Sequence, residues 1–235
     1  MLTLKQIKEN QDLKYMIKKA NEYLSARGYT EHGFRHVNFV SELTGYILEE
    51  LNFDKHTVEL GRIAGYLHDV GNMFNRKHHG VSSANIVYTE LRRMGIPIDD
   101  ICKVTTAIAN HEEDIGYPIN QLTSALILAD KSDAHRTRAN KENASQIHDR
   151  VNLAIQDSSL EVDNKNKKIT LHIEYDSSIS QVMDYFEIYL YRMEMCKQAA
   201  YNLGCRFHLM INNLELLGNV DSKFYNDKTN LQELG

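Results

Sequence analysis

A histidine and an aspartate stand side by side, His68-Asp69, where an apolar helical stripe of Val58, Leu60, Ile63, Ala64 and Leu67 runs into Gly71. The aspartate has two oxygens and can bridge a pair of metal ions, while the imidazole binds one ion through a single nitrogen. An isolated His-Asp pair is usually satisfied by ordinary hydrogen bonds. This chain is constrained more tightly because the pattern recurs along it.

Periodicity predicts a succession of amphipathic helices. One or two cover residues 4–27, with Leu13, Ile17, Ala20 and Leu24 on one face, and Gly28 ends them. A helix over 33–51 places His36 on the face of Val40, Leu43 and Ile47. The helix over 55–69 carries Gly61 and Gly65 four apart, small residues that let another helix approach closely, and ends at His68-Asp69. After a loop over 71–77, a helix over 79–94 begins with His79. The helix over 99–111 sets His111 in line with Ile101, Val104 and Ile108. In the helix over 121–133, Asp130 and Asp133 share the face of Leu122 and Leu126. A carboxylate at the end of an apolar stripe is costly to bury unless a positive or hydrogen-bonding group meets it.

Six residues, His36, His68, Asp69, His79, His111 and Asp130, therefore lie at or near helix ends, on or beside the apolar faces of five successive helices. Any one of them reads as an ordinary buried polar group; their ordered succession reads as a metal centre. Four imidazoles and two carboxylates without a thiolate suit Fe, Mn, Co, Ni or Zn better than Mg or Ca. Two divalent ions are the expected count, Fe or Mn foremost. His36, His68, Asp69 and Asp130 would hold the first, and Asp69 would bridge to a second held by His79 and His111.

The 235 residues suffice for one sizeable domain, or for a domain of about 150 residues with a smaller attachment. A formal net charge of −5 argues against nucleic acid or an anionic membrane as partner and leaves a small phosphorylated substrate open. No signal-peptide core and no run of about 18 apolar residues occurs, so a cytoplasmic protein is expected. Cys102, Cys196 and Cys205 show no C-x-x-C spacing. Beyond a polar, basic stretch over 134–143, alternation predicts strands at 160–162 and 168–175, then a long helix from Ser178 to about residue 203, then a third strand over 205–212. The expectation is a mainly α protein. Residues 1–143 would form the helical metal-binding domain, and 144–235 an α+β extension with a small antiparallel sheet. A homodimer stays open.

The order His, His-Asp, His, His, Asp on successive helices resembles the HD-domain superfamily of metal-dependent phosphohydrolases over roughly 36–133. More narrowly it resembles the HD-GYP phosphodiesterases. His68-Asp69-Val70-Gly71-Asn72 is similar to their H-D-x-G-K, and His79 to Ile86 follows the spacing of H-P-x-x-G-A-x-I. Asn110 to Pro118 is a shortened H-H-E-x-x-D-G-x-G-Y-P, and Ala129-Asp130, with Asp133-Ala134, matches A-D-x-x-D-A. Asn72 stands where that family has lysine and Asn110 where it has the first histidine of a pair, and the loop is one residue short before Gly116. The lost histidine leaves ligands for two metals rather than three.

The resemblance implies an HD-type helical bundle and phosphoester hydrolysis, with a nucleotide or cyclic nucleotide among the candidate substrates. A hydroxide bridging the two metals would attack phosphorus, and Asp69, Lys131, Arg136 and Arg138 would act on the substrate, the three cations as phosphate contacts. Lys77 is a further candidate contact. His32, four residues before His36, could support a ligand or donate a proton but is expected at the surface, and His79 is preferred to His78 as ligand. Two other readings share the ligand set: a di-iron oxygenase of the same superfamily and a non-catalytic, metal-stabilised binding module.

Overall fold

The computed structural model describes residues 3–113, 115–134 and 147–218. Its helices are α1 (Leu4–Glu9), α2 (Gln11–Ala26), α3 (Phe34–Glu50), α4 (Lys55–Leu67), α5 (His79–Arg93), α6 (Ile98–Ala109), α7 (Gln121–Ser132), α8 (Ile147–Ala154) and α9 (Val182–Asn202). A 3-10 turn, Val70–Met73, joins α4 to α5. The expected mainly helical fold with a small C-terminal sheet is what the chain forms. No helix among the described residues is long and apolar enough to cross a membrane.

Side-chain caps fix where the helices that deliver the site begin. Asp54 Oδ1 accepts from the backbone N–H of His56 and of Thr57, each at 3.0 Å, and Asn120 Oδ1 accepts from Thr123 N at 2.9 Å. Such caps satisfy the otherwise orphaned first-turn donors of α4 and α7. Helix α7 is apolar nearly all round, with Leu122 to Ala129 buried, because α3, α4 and α6 cover part of it and α9 covers another.

The crossing of α3 and α4 is a backbone contact. A Cβ on Gly65 would stand 2.8 Å from both Ser41 Cα and Val40 O, and one on Gly61 would stand 2.4 Å from Leu48 Cδ1. Ser41 Oγ donates to Arg62 O at 2.7 Å across the same seam. Gly71 serves the next junction: a Cβ there would meet His79 O and Ser83 N, each at 2.4 Å, and its N–H donates to Ser83 Oγ at 2.8 Å. These approaches bring the ends of α3, α4 and α5 together.

Strands β1 (Ile155–Asp163), β2 (Lys168–Tyr175), β3 (Arg206–Ile211) and β4 (Leu214–Leu217) form one sheet in that order. The predicted hairpin β1–β2 is antiparallel, with Asp163 opposite Lys168. The third strand joins β2, but parallel, so the sheet is mixed rather than wholly antiparallel. Helix α9 supplies the crossover that a parallel pair requires. It starts at Val182 rather than Ser178, with Gln181 and Asp184 forming the capping box. Strand β4 returns antiparallel to β3 through Asn212 and Asn213, both at positive φ (49° and 65°), the conformation a tight two-residue hairpin demands. Leu171, Ile173, Phe207 and Leu209 belong to the same apolar cluster as the helical core.

Gly65→Ala is expected to destabilise the protein by about 1–3 kcal/mol, because backbone rather than a flexible side chain blocks the added methyl. Urea unfolding of the variant beside wild type measures this; an unchanged midpoint would show that α3 and α4 can part without cost.

Candidate metal centre

Each predicted ligand is delivered by a helix end. His36 lies in the first turn of α3, His68 caps the C-terminus of α4, Asp69 precedes the 3-10 turn, and His79 opens α5. His111 follows α6, and Asp130 lies in the last turn of α7. All four histidines and Asp69 are buried. The six side chains come together.

The imidazoles are oriented alike. Their Nδ1 atoms face Asp133 Oδ2 at 2.6 Å for His36, Gly65 O at 2.8 Å for His68, Arg76 O at 2.9 Å for His79 and Ile108 O at 2.6 Å for His111. Each Nδ1 therefore donates, and each Nε2 turns inward. His36 Nε2 and His68 Nε2 are 3.2 Å apart, as are His79 Nε2 and His111 Nε2 at 3.1 Å. Asp69 lies between the pairs. Its Oδ2 is 3.6 Å from His36 Nε2 and 3.5 Å from His68 Nε2; its Oδ1 is 3.3 Å from His79 Nε2 and 3.8 Å from His111 Nε2. Asp130 Oδ1 closes the first pair at 3.4 Å from His36 Nε2 and 3.6 Å from His68 Nε2.

This arrangement fits cations. Two neutral imidazoles that already donate through Nδ1 present lone pairs to each other, and a positive ion between them relieves the repulsion. Asp69 Oδ2 is buried without a hydrogen-bond partner among the described residues, an unmet acceptor of the kind a metal satisfies. Two triads have ligand atoms within 4.8 Å of one another: His36, His68 and Asp130, and His68, Asp69 and His111. His68 belongs to both, so it stands nearer the middle than the expected division placed it. The nitrogen and oxygen donors suit a divalent transition metal.

Electrostatics keep His111, Asp69 and Asp130 in ligand-ready states, while Asp69 and Glu112 raise the His79 imidazole against its burial. Burial pushes the His111 imidazole down to about 4 despite the nearby Asp69 carboxylate, so it is neutral at pH 7. Burial would raise Asp69, but His68, His111 and His79 hold it well below the usual carboxylate range. Asp130 is likewise held low against burial by Lys131, His36 and His68.

Several supporting roles were not assigned from the sequence, although Asp133, Asn72 and His32 were named there. Asp133 takes a bidentate contact from Arg35, at 3.0 and 2.7 Å, besides orienting His36. Its signal was present: it stands three residues after Asp130 on the same helix face. Glu112 accepts from His78 N at 2.8 Å and Gly80 N at 3.1 Å and faces His79 Nδ1 at 3.3 Å. Burial opposes ionisation of Glu112, but His79 and these N–H donors bring it down to about 2. Asn72 donates to Asp69 Oδ1 at 2.8 Å, so it serves the bridge candidate directly. His32 is buried rather than at the surface, with Nε2 4.0 Å from Asp69 Oδ2. His78 is exposed, and His79 is the one that points inward.

Lys131 is buried, with Nζ 2.7 Å from Asp130 Oδ2 and 3.4 Å from Glu113 Oε1. Arg136 and Arg138 lie outside the described residues. A cavity of about 420 Å³, bordered by His32, Arg76, Asp130, Lys131 and Arg192, opens over the first pair. One of about 460 Å³, bordered by Arg76, Lys77, His79 and Arg192, opens over the second. Arg76 was not anticipated; its Nη1 is 3.5 Å from His79 Nε2 and 3.9 Å from Asp69 Oδ1.

Residues 33–138 match the family model described as HD domain. All six ligand candidates fall within that HD segment, and α8, α9 and the sheet fall outside it. No curated protein matches. Among solved structures, the chain is similar to the crystal structure of a predicted HD superfamily hydrolase from an uncultured Thermotogales bacterium. That similarity has 22% identity and a TM-score of 0.43, covering 57% of this chain and 75% of the other.

If the cluster holds two ions, Asp69→Ala is expected to empty both positions and His111→Ala mainly one, as read by elemental analysis of protein purified without chelator. Full metal content in the Asp69 variant would refute a bridge. Asp133→Ala should lower metal affinity by roughly ten- to a hundredfold, since it removes the group that orients His36; competition with a chelating dye measures it.

Proposed function

We propose that this chain is a metal-dependent phosphohydrolase acting on a small phosphoester, a nucleotide or cyclic nucleotide among the candidates. The observation that carries the reading is the junction of two features. A nitrogen and oxygen donor cluster with Asp69 at its middle opens into a cleft bordered by Arg27, Arg76, Lys131 and Arg192. Donors alone suit several chemistries; donors beneath four cations suit a phosphoryl group.

Two divalent ions, iron or manganese foremost, would supply Lewis acidity and a water of lowered pKa. The chain's own residues do the rest. His36, His68, His79 and His111 hold Nε2 inward through their Nδ1 contacts, and Asn72 fixes the rotamer of Asp69. Lys131 pairs with the Asp130 oxygen that faces away from the histidines, which keeps that carboxylate ionised and places an ammonium at the edge of the cleft. Arg76 reaches over the second pair, where it can meet a phosphoryl oxygen.

Hydrolysis of a phosphoester panel with added Mn, Fe, Co or Ni is expected to persist without oxygen. Turnover that stops without oxygen would favour the oxygenase reading, and silence toward every phosphoester with both metal positions filled would favour a binding module. Neutralising Lys131, Arg136 and Arg138 together should lower kcat/KM by roughly ten- to a hundredfold or more, the cost of one charge-assisted contact at least. An unchanged rate would show that none of the three holds the phosphate.

A further inference from the structure

One wall of the metal cleft comes from a helix outside the HD match. Helix α9 packs on α7 and carries Arg192, whose guanidinium sits 4.5 Å from the ring centre of Tyr189. Arg192 Nε is 2.6 Å from Glu113 Oε1, and the same oxygen is 3.4 Å from Lys131 Nζ. Lys131 in turn reaches Asp130 Oδ2. Alternating charges thus run from α9 to a metal ligand. Arg76, Glu113, Lys131 and Arg192 border both cavities over the cluster.

Glu113 shares Lys131 with Asp130. Two cations touch the Glu113 carboxylate and Arg76 acts on it from farther away, while Arg76 and Arg192 each keep more than a quarter of their side chain exposed to the cleft. The ion-pair contact of Glu113 with Arg192 lies at Nε, and among the described residues neither Nη group of Arg192 has a hydrogen bond. The cation–π contact with Tyr189 restrains the guanidinium and limits the rotamer freedom lost on binding. A phosphate above the cluster presents several oxygens, and a guanidinium suits two of them at once.

We propose that Arg192 is a specificity-determining contact for the substrate's anionic group, and that Glu113 engages Arg192 until that anion arrives. The inference rests on the phosphohydrolase reading but is tested apart from it, by titrating inorganic phosphate into the full-length, manganese-loaded protein and following the heat. Arg192→Gln should weaken phosphate binding by roughly ten- to a hundredfold with metal content unchanged, since one charge-assisted contact is lost. Arg192→Lys, which keeps the charge but not the fork, should fall between. Glu113→Gln, which removes the competing carboxylate, should bind phosphate severalfold more tightly.

Phosphate affinity unchanged in Arg192→Gln, or no phosphate binding by wild type, would overturn the inference. Should Arg192→Gln fail to fold, Glu113→Gln decides: unchanged or weaker affinity counts against it. Arg192-dependent phosphate binding without hydrolysis of any phosphoester would uphold this contact and overturn the phosphohydrolase reading. Hydrolysis with Arg192-independent phosphate binding would do the reverse.

Discussion

Four imidazole nitrogens and two carboxylates face one another in the interior, and the rest of the molecule can be read as what makes this tolerable. Burying such groups without partners costs several kcal/mol each. The chain meets part of the cost with internal contacts: every Nδ1 has an acceptor, and Asp69 Oδ1 has Asn72. What remains, the inward Nε2 atoms and the buried Asp69 Oδ2, a cation would satisfy. Metal binding and folding are then linked, because a ligand set drawn from five helices exists only when they are packed.

Tight packing at glycines delivers the ligands. A metal centre tolerates little error in ligand position, yet its ligands here sit at helix termini, where chains fray. Close backbone contact answers this. Gly65 locks α4 to α3 little more than one turn from His36, and Gly71 locks the turn after Asp69 onto the start of α5. Gly80 adds a third such contact: a Cβ there would lie 3.1 Å from Ile108 O, the carbonyl that orients His111. The same backbone thus sets both the packing distance and an imidazole's direction.

The convergence of the six candidate ligands was legible because each interrupts an apolar stripe at its end, and period alone assigns a face. Gly61 and Gly65 were legible as a close-approach face for the same reason. What escaped depends on contacts distant in sequence. Arg35 and Asp133 are 98 residues apart, and nothing local marks them as a pair. His32 reads as surface because the loop before α3 shows no period, yet the turn from Thr30, whose carbonyl faces its Nδ1, carries it inward. Alternation gave the three strands but not the parallel pairing of β2 with β3, which follows from α9 crossing over, and it missed β4, whose residues are half exposed.

Arg192 was illegible for a further reason: a lone arginine on a long helix is usually a solvated charge, and only tertiary packing puts it beside Glu113. Its placement completes the charge pattern of the site. Asp133 is neutralised by Arg35, Glu112 is held by backbone N–H groups and His79, and Glu113 is matched by Lys131 and Arg192. The outer acids are therefore compensated locally. Two divalent cations on a core of only two ligand carboxylates would leave net positive charge facing the cleft, and Arg27 and Arg76 add to it. With two such ions bound, a chain of net charge −5 would concentrate positive potential at one concave place, where low-dielectric walls would focus it on an incoming anion.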